Sequence, residues 1–93
     1  MSVIVIGGAA ARFGAEMLDP LREAGVVDQL RKAPGFQGHW SGWSGRNYKV
    51  IEVWESPEAY WAWIDGTIRP NLPAGAQLTE PEFIDLVLAV EPG

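Results

Sequence analysis

The sequence predicts an α+β domain of ferredoxin-like topology, β-α-β-β-α-β: a four-stranded antiparallel sheet with two helices on one face. Three observations lead there. β-branched or alternating runs at Val3–Ile6, Phe36–Trp43, Tyr48–Trp54 and Phe83–Val90 read as strands. Helix-start signals at Asp19-Pro20 and at Ser56-Pro57-Glu58 fall between the first and second strands and between the third and fourth. Finally, Ser44-Gly45-Arg46-Asn47 has the composition of a hairpin loop between the middle strands.

Val3-Ile4-Val5-Ile6 ends at Gly7-Gly8, and Ala9–Leu18 follows with good helix formers interrupted by Gly14. Helix one is expected over Pro20–Lys32, where Leu21, Ala24, Val27 and Leu30 recur every three residues as one apolar stripe, before Pro34-Gly35 stops it. Strand three alternates Tyr48, Val50, Glu52 and Trp54 on one face with Lys49, Ile51 and Val53 on the other. Helix two opens with a hydroxyl cap, a proline in its first turn and an acid at the positive dipole end. It carries Tyr60, Trp61, Trp63 and Ile64 and is expected to fray near Gly66 or Pro70. A loop from Pro70 to Pro81 leads to the last strand.

Ninety-three residues make one domain. Without cysteine there is no disulfide and no thiolate metal site, and the single histidine, His39, cannot form a multi-histidine metal cage within one subunit. A net charge of −5 with no basic cluster argues against nucleic acid and anionic membranes as partners. The start lacks a basic leader or a long apolar run, so the expectation is a soluble cytoplasmic protein. Strands one and four are apolar on both faces, whereas two helices cover only one face of the sheet. A homodimer joined through the open sheet face removes that exposed surface.

All five tryptophans lie between Trp40 and Trp63, which suggests an aromatic core or an aromatic-lined pocket. Glu52 shares its face with Tyr48, Val50 and Trp54. Under the helices it would be a desolvated carboxyl fit for general acid or base work; otherwise it is a half-exposed partner of a Lys or Arg. His39 is a second proton-transfer candidate, because imidazole exchanges protons near neutral pH, and Tyr60 is a third. Trp40 and Trp43 point to opposite faces, so at most one lines a helix-side cavity; Tyr60 and Trp63, three apart, share a direction that Trp61 does not. Spacing selects none of Arg12, Arg46 and Arg69 as an oxyanion binder. Gly7-Gly8 lacks the G-x-G-x-x-G spacing of a dinucleotide site, and no Ser/His/Asp arrangement is apparent.

Pro34-Gly35-Phe36, then Glu52-x-Trp54-Glu55-Ser56, Glu58-Ala59-Tyr60 and Pro70 resemble the antibiotic biosynthesis monooxygenase family of small dimeric α+β barrels. The resemblance spans about Pro34 to Pro70 and implies a ligand cavity between sheet and helices in each subunit. One group in that family oxidises anthrones to quinones without metal, flavin or haem, and the positions of Trp54 and Tyr60 match residues that line its pocket. An asparagine four residues before that tryptophan is replaced here by Val50. Haem-degrading members carry an axial histidine on helix two, which Tyr60 to Pro70 lacks. The resemblance therefore implies a cofactor-free oxygenase of a small aromatic, polyketide-like substrate. Trp54, Trp40, Tyr48, Val50 and Trp63 would hold the substrate, and Glu52, His39 and Tyr60 would handle protons. A non-oxidative cyclase or isomerase, or a binding protein without turnover, are the alternatives.

Overall fold

Four strands form one antiparallel sheet in the order β2-β3-β1-β4: β1 Val3–Ala9, β2 Phe36–Ser44, β3 Asn47–Trp54 and β4 Glu82–Asp85. Helix α1 spans Val26–Arg31 and α2 spans Pro57–Trp63. The arrangement is the expected ferredoxin-like one, seen here in a computed structural model that describes residues 2–9, 23, 25–45, 47–72 and 78–93. The early half of the expected helix one, the stretch after Ala9, and the positions of Arg12 and Arg46 lie outside the described residues.

The local signals behave as chemistry dictates. Ser56 caps α2, its Oγ accepting the Ala59 N–H at 3.2 Å, with Pro57 in the first turn where no amide is required. Gly35 adopts φ 82°, and a side chain there would meet Ala59 Cβ at 2.9 Å and Glu55 Cβ at 3.2 Å. Only glycine accepts both the left-handed backbone and that approach. The Gly35 carbonyl in turn accepts the Glu55 N–H at 2.8 Å, tying the entry of β2 to the exit of β3.

Two boundaries differ from expectation, the one before α1 and the end of strand four. Gly25 precedes α1 with φ 71°, a left-handed residue that no continuous helix over Pro20–Lys32 accommodates. Helix two ends at Asn71, beside Pro70, one of the two expected places, and does not stop at Gly66. It widens into a π-helical stretch, Ile64–Ile68, and resumes as Arg69–Asn71. The wide turns lie just before Pro70, which has no N–H for the carbonyl four residues back and whose ring would crowd it. Strand four is only Glu82–Asp85, because β1 opposes it no further than Val3, and the Ser2 carbonyl accepts the Leu86 N–H as the last bond. Val87, Leu88 and Val90 then project 88%, 76% and 82% exposed.

Val3 and Val5 of β1, Val26 and Leu30 of α1, and Trp54, Tyr60, Trp63 and Ile64 form the buried core between sheet and helices. The opposite sheet face carries Ile4, Ile6, Ile51, Val53, Ile84 and Trp40, by alternation and by the pairs Ile4–Val53, Ile4–Ile84, Ile6–Ile51 and Trp40–Ile51. Trp40, Ile51 and Ile84 are exposed there. Among the described residues no helix is long and apolar enough to cross a membrane.

Candidate active site

Register decides which side chains meet. His39 lies opposite Glu52, which lies opposite Val5; Ser41 lies opposite Val50, which lies opposite Gly7. These two rows face the helices and floor a cavity of about 580 Å³. Val26, Leu30 and Arg31 of α1, Tyr60 and Trp63 of α2, and Ile64 and Ile68 of its wide turns wall it. The size and mostly apolar lining suit a small organic ligand.

Glu52 is 4% exposed and is the one buried charged residue among those described. Its Oε2 lies 2.6 Å from His39 Nδ1, and its Oε1 accepts the Trp54 indole N–H at 3.1 Å. His39 Nε2 lies 3.0 Å from Ser41 Oγ. A carboxylate accepts only, so in the neutral ring it holds the proton of His39 on Nδ1 and leaves the Nε2 lone pair on the cavity side, where the Ser41 hydroxyl is placed to donate to it. The carboxylate is thus paired with an imidazole and an indole, a partner set that neither reading of Glu52 from its sequence neighbours contained.

Tyr60 is buried, its ring edge-on to Trp54 at 6.3 Å and to Phe83 at 5.6 Å. Burial pushes its phenol up to about 12, the charge of Glu52 adding to that effect and Arg69 opposing it. At neutral pH the phenol keeps its proton, so it is available as a hydrogen-bond donor and does not act as a base. The folded value stands above the unfolded 10.0, so the stability Tyr60 contributes is complete below pH 10 and is lost as pH rises towards 12. The unfolding free-energy difference between wild type and Tyr60→Phe should shrink between pH 9 and 12 in urea titrations. A constant difference across that range would contradict this burial effect.

The five expected substrate-binding residues separate into different places. Tyr48, Val50 and Trp63 line the cavity. Trp54 does not; it is 0% exposed, packed behind Glu52 against Phe36 at 5.4 Å and Trp63 at 6.3 Å. Trp40 is 60% exposed on the outer face, its indole folded over Gly38 so closely that a Cβ there would lie 2.6 Å from the ring. Trp43 instead packs at a tilt against Tyr48, its cross-strand neighbour, with ring centroids 5.4 Å apart. Arg69 binds Asp65 at 2.7 Å and lies 6.0 Å from the Trp61 ring, whereas Arg31, not singled out by spacing, reaches the cavity wall. Ser41 was missed because a lone serine in a strand carries no signal until the register places it beside His39.

No protein-family model matches the sequence, and no curated protein matches it by sequence. Solved structures do match. SnoaB, a cofactor-independent oxygenase from Streptomyces nogalater, superposes with a TM-score of 0.64 at 19% identity, covering 98% of each chain. The haem degrader MhuD of Mycobacterium tuberculosis, solved with two haems in its active site, gives 0.57 at 28% identity over 96% of this chain and 99% of its own. The ActVA-Orf6 monooxygenase of Streptomyces coelicolor, in complex with nanaomycin D, gives 0.56 at 21% identity over 99% and 92%. Among the described residues α2 carries no histidine that could serve as the axial ligand of a haem. Both nitrogens of the lone imidazole are engaged, by Glu52 and Ser41, and the Tyr60 phenol is held protonated. Among the described residues no group of three His, Cys, Asp or Glu could hold a metal ion.

Proposed function

We propose that this chain, which has the fold of the antibiotic biosynthesis monooxygenases, is a cofactor-independent oxygenase of a small phenolic or anthrone-like aromatic compound in the cytoplasm. The observation that carries the reading is the His39–Glu52 pair, 2.6 Å apart, on the floor of an apolar cavity. Both oxygens of Glu52 are occupied, so the atom that accepts a proton is His39 Nε2, and Glu52 orients the ring and stabilises the imidazolium. A bound substrate with an acidic C–H or O–H displaces the Ser41 hydroxyl from Nε2 and loses its proton there. The resulting enolate or phenolate is electron-rich enough to reduce dioxygen itself. One oxygen atom enters the ring as a new carbonyl, and the other leaves as water with the two hydrogens lost from carbon. Tyr60 donates to the developing oxyanion, and Trp63, Tyr48 and Val50 enclose the rings.

Oxygen uptake by chelator-treated protein on a panel of anthrones and phenols tests the reading. Uptake that depends on the folded protein and yields a quinone supports it. Val50 lends weight to a second reading, because this wall position offers no amide to hold a substrate carbonyl. A non-oxidative cyclisation would then use the same proton transfer, giving an isomer or a dehydrated product without oxygen uptake.

The unit is a homodimer in this proposal. Ile4, Ile6, Trp40, Ile51, Val53 and Ile84 make an apolar face that no other described residue is seen to cover, and a second copy of the same sheet is its natural complement. Sedimentation should give the dimer mass for wild type and the monomer mass for Ile51→Glu. A monomeric wild type at micromolar concentration would dismiss the dimer.

A further inference from the structure

The Ser41 hydroxyl, on the cavity floor, has no part in the oxygenase chemistry. Its Oγ is 3.0 Å from His39 Nε2, His39 Nδ1 is 2.6 Å from Glu52 Oε2, and Glu52 Oε1 holds the Trp54 N–H at 3.1 Å. Nucleophile, base and orienter stand in hydrogen-bonded series, the geometry by which a weakly acidic hydroxyl becomes reactive. The arrangement follows from two features of the sheet. Residues 39 and 41 are two apart on β2 and share the cavity face, and the β2–β3 register sets His39 against Glu52. Trp54 and the strand pairing hold the acid, so the series is preorganised from the buried end outwards.

We propose that Ser41 is an acyl-accepting nucleophile and that the cavity carries a second activity, hydrolysis of aryl esters. Ser41 Oγ attacks the ester carbonyl while its proton passes to His39 Nε2. The ester C–O bond breaks, and the departing phenolate takes that proton from His39, leaving an acyl-serine. Water then attacks the acyl carbon with His39 as base, the acyl–Oγ bond breaks, the proton returns to Oγ, and a carboxylic acid leaves. The class of ester follows from where Ser41 lies. It stands within a strand, not on the strand-to-helix turn that supplies amide donors to the oxyanion in many hydrolases. The donors at hand are the outward amides of β2, which is an edge strand. Limited oxyanion support restricts the reaction to esters whose leaving group departs readily, which phenols do and aliphatic alcohols or amines do not. The apolar walls favour the same aryl groups. This activity does not rest on the oxygenase reading.

The test uses the whole protein with p-nitrophenyl butyrate and, separately, an alkyl fluorophosphonate probe. A burst of nitrophenolate of about one equivalent per chain is expected, with a phosphonate adduct located on Ser41 by fragment mass spectra. Ser41→Ala should lower nitrophenolate release at least about 100-fold, and His39→Gln should abolish the phosphonate adduct. Ser44→Ala, exposed at the far end of β2, should leave both unchanged. Circular dichroism of Ser41→Ala is expected to match wild type, and labelling of the unaltered protein needs no variant at all. Acylation found on His39 instead, absence of any adduct on Ser41, or a burst retained in Ser41→Ala would overturn the proposal.

Discussion

Glu52→Gln is expected to lower turnover by on the order of 10² to 10⁴, with the fold and ligand affinity intact. The reason is a count of hydrogen-bond roles. The carboxylate serves two N–H groups at once, His39 Nδ1 and Trp54 Nε1. A glutamine amide has one accepting oxygen and one donating nitrogen. If its oxygen serves Trp54, its NH2 faces His39 and drives the imidazole to the other tautomer, with the proton on Nε2. If its oxygen serves His39, the fully buried indole N–H meets a second donor, which costs about 1–3 kcal/mol. The first arrangement removes the base from the cavity side. The ¹⁵N chemical shifts of the His39 ring report the tautomer without any substrate, and oxygen uptake or product formation reports the rate. Wild-type turnover together with a displaced tautomer would remove His39 from the chemistry. An unchanged tautomer would refute the account of how Glu52 acts.

Trp54→Ala is expected to destabilise the protein by about 3–5 kcal/mol, a large fraction of what a domain of this size possesses. Trp54 is wholly buried, and its ring meets Phe36, Tyr60 and Trp63 at centroid distances of 5.4, 6.3 and 6.3 Å. Truncation leaves a void that strands β2 and β3 cannot close without breaking their ladder. It also strips Glu52 of its indole donor, leaving one oxygen of a buried carboxylate unpaired. Trp54→Phe separates the two effects, since it keeps most of the volume and loses the N–H. Urea midpoints at fixed protein concentration should order wild type, Trp54→Phe and Trp54→Ala. A loss under about 1 kcal/mol for the alanine variant would show that the residue is not the keystone of this core.

The topology was legible because hydrophobic period and caps act locally. Ser56-Pro57 starts a helix, and Gly35 at the entry to β2 fits a left-handed turn, whatever lies elsewhere in the chain. Boundaries that depend on a neighbour were not legible. Strand four reads apolar to Val90 but ends at Asp85, since a strand lasts only while another backbone pairs with it. Helix two does end beside Pro70, as expected, but the widened turns that carry it past Gly66 are a packing response that no propensity describes. Alternation put Glu52, Val50 and Tyr48 on one face, and they line the cavity together. The same rule separated Trp40 from Trp43 yet could not say which one faced the helices, because both choices satisfy a period of two.

By itself the sequence determined the order of elements, the polarity of each strand face and the set of groups on which any chemistry could draw: one imidazole, a carboxylate in an apolar row, and no thiol. Those are properties of single residues and short windows. Only the tertiary structure decided that His39, thirteen positions from Glu52, lies against it, that Ser41 completes the series, and that Trp54 supports the site from behind and does not wall it. The physical reason is register. A hairpin can pair its strands in several alignments of similar local energy, and the burial of Trp54 with α2 selects the one in which these side chains meet.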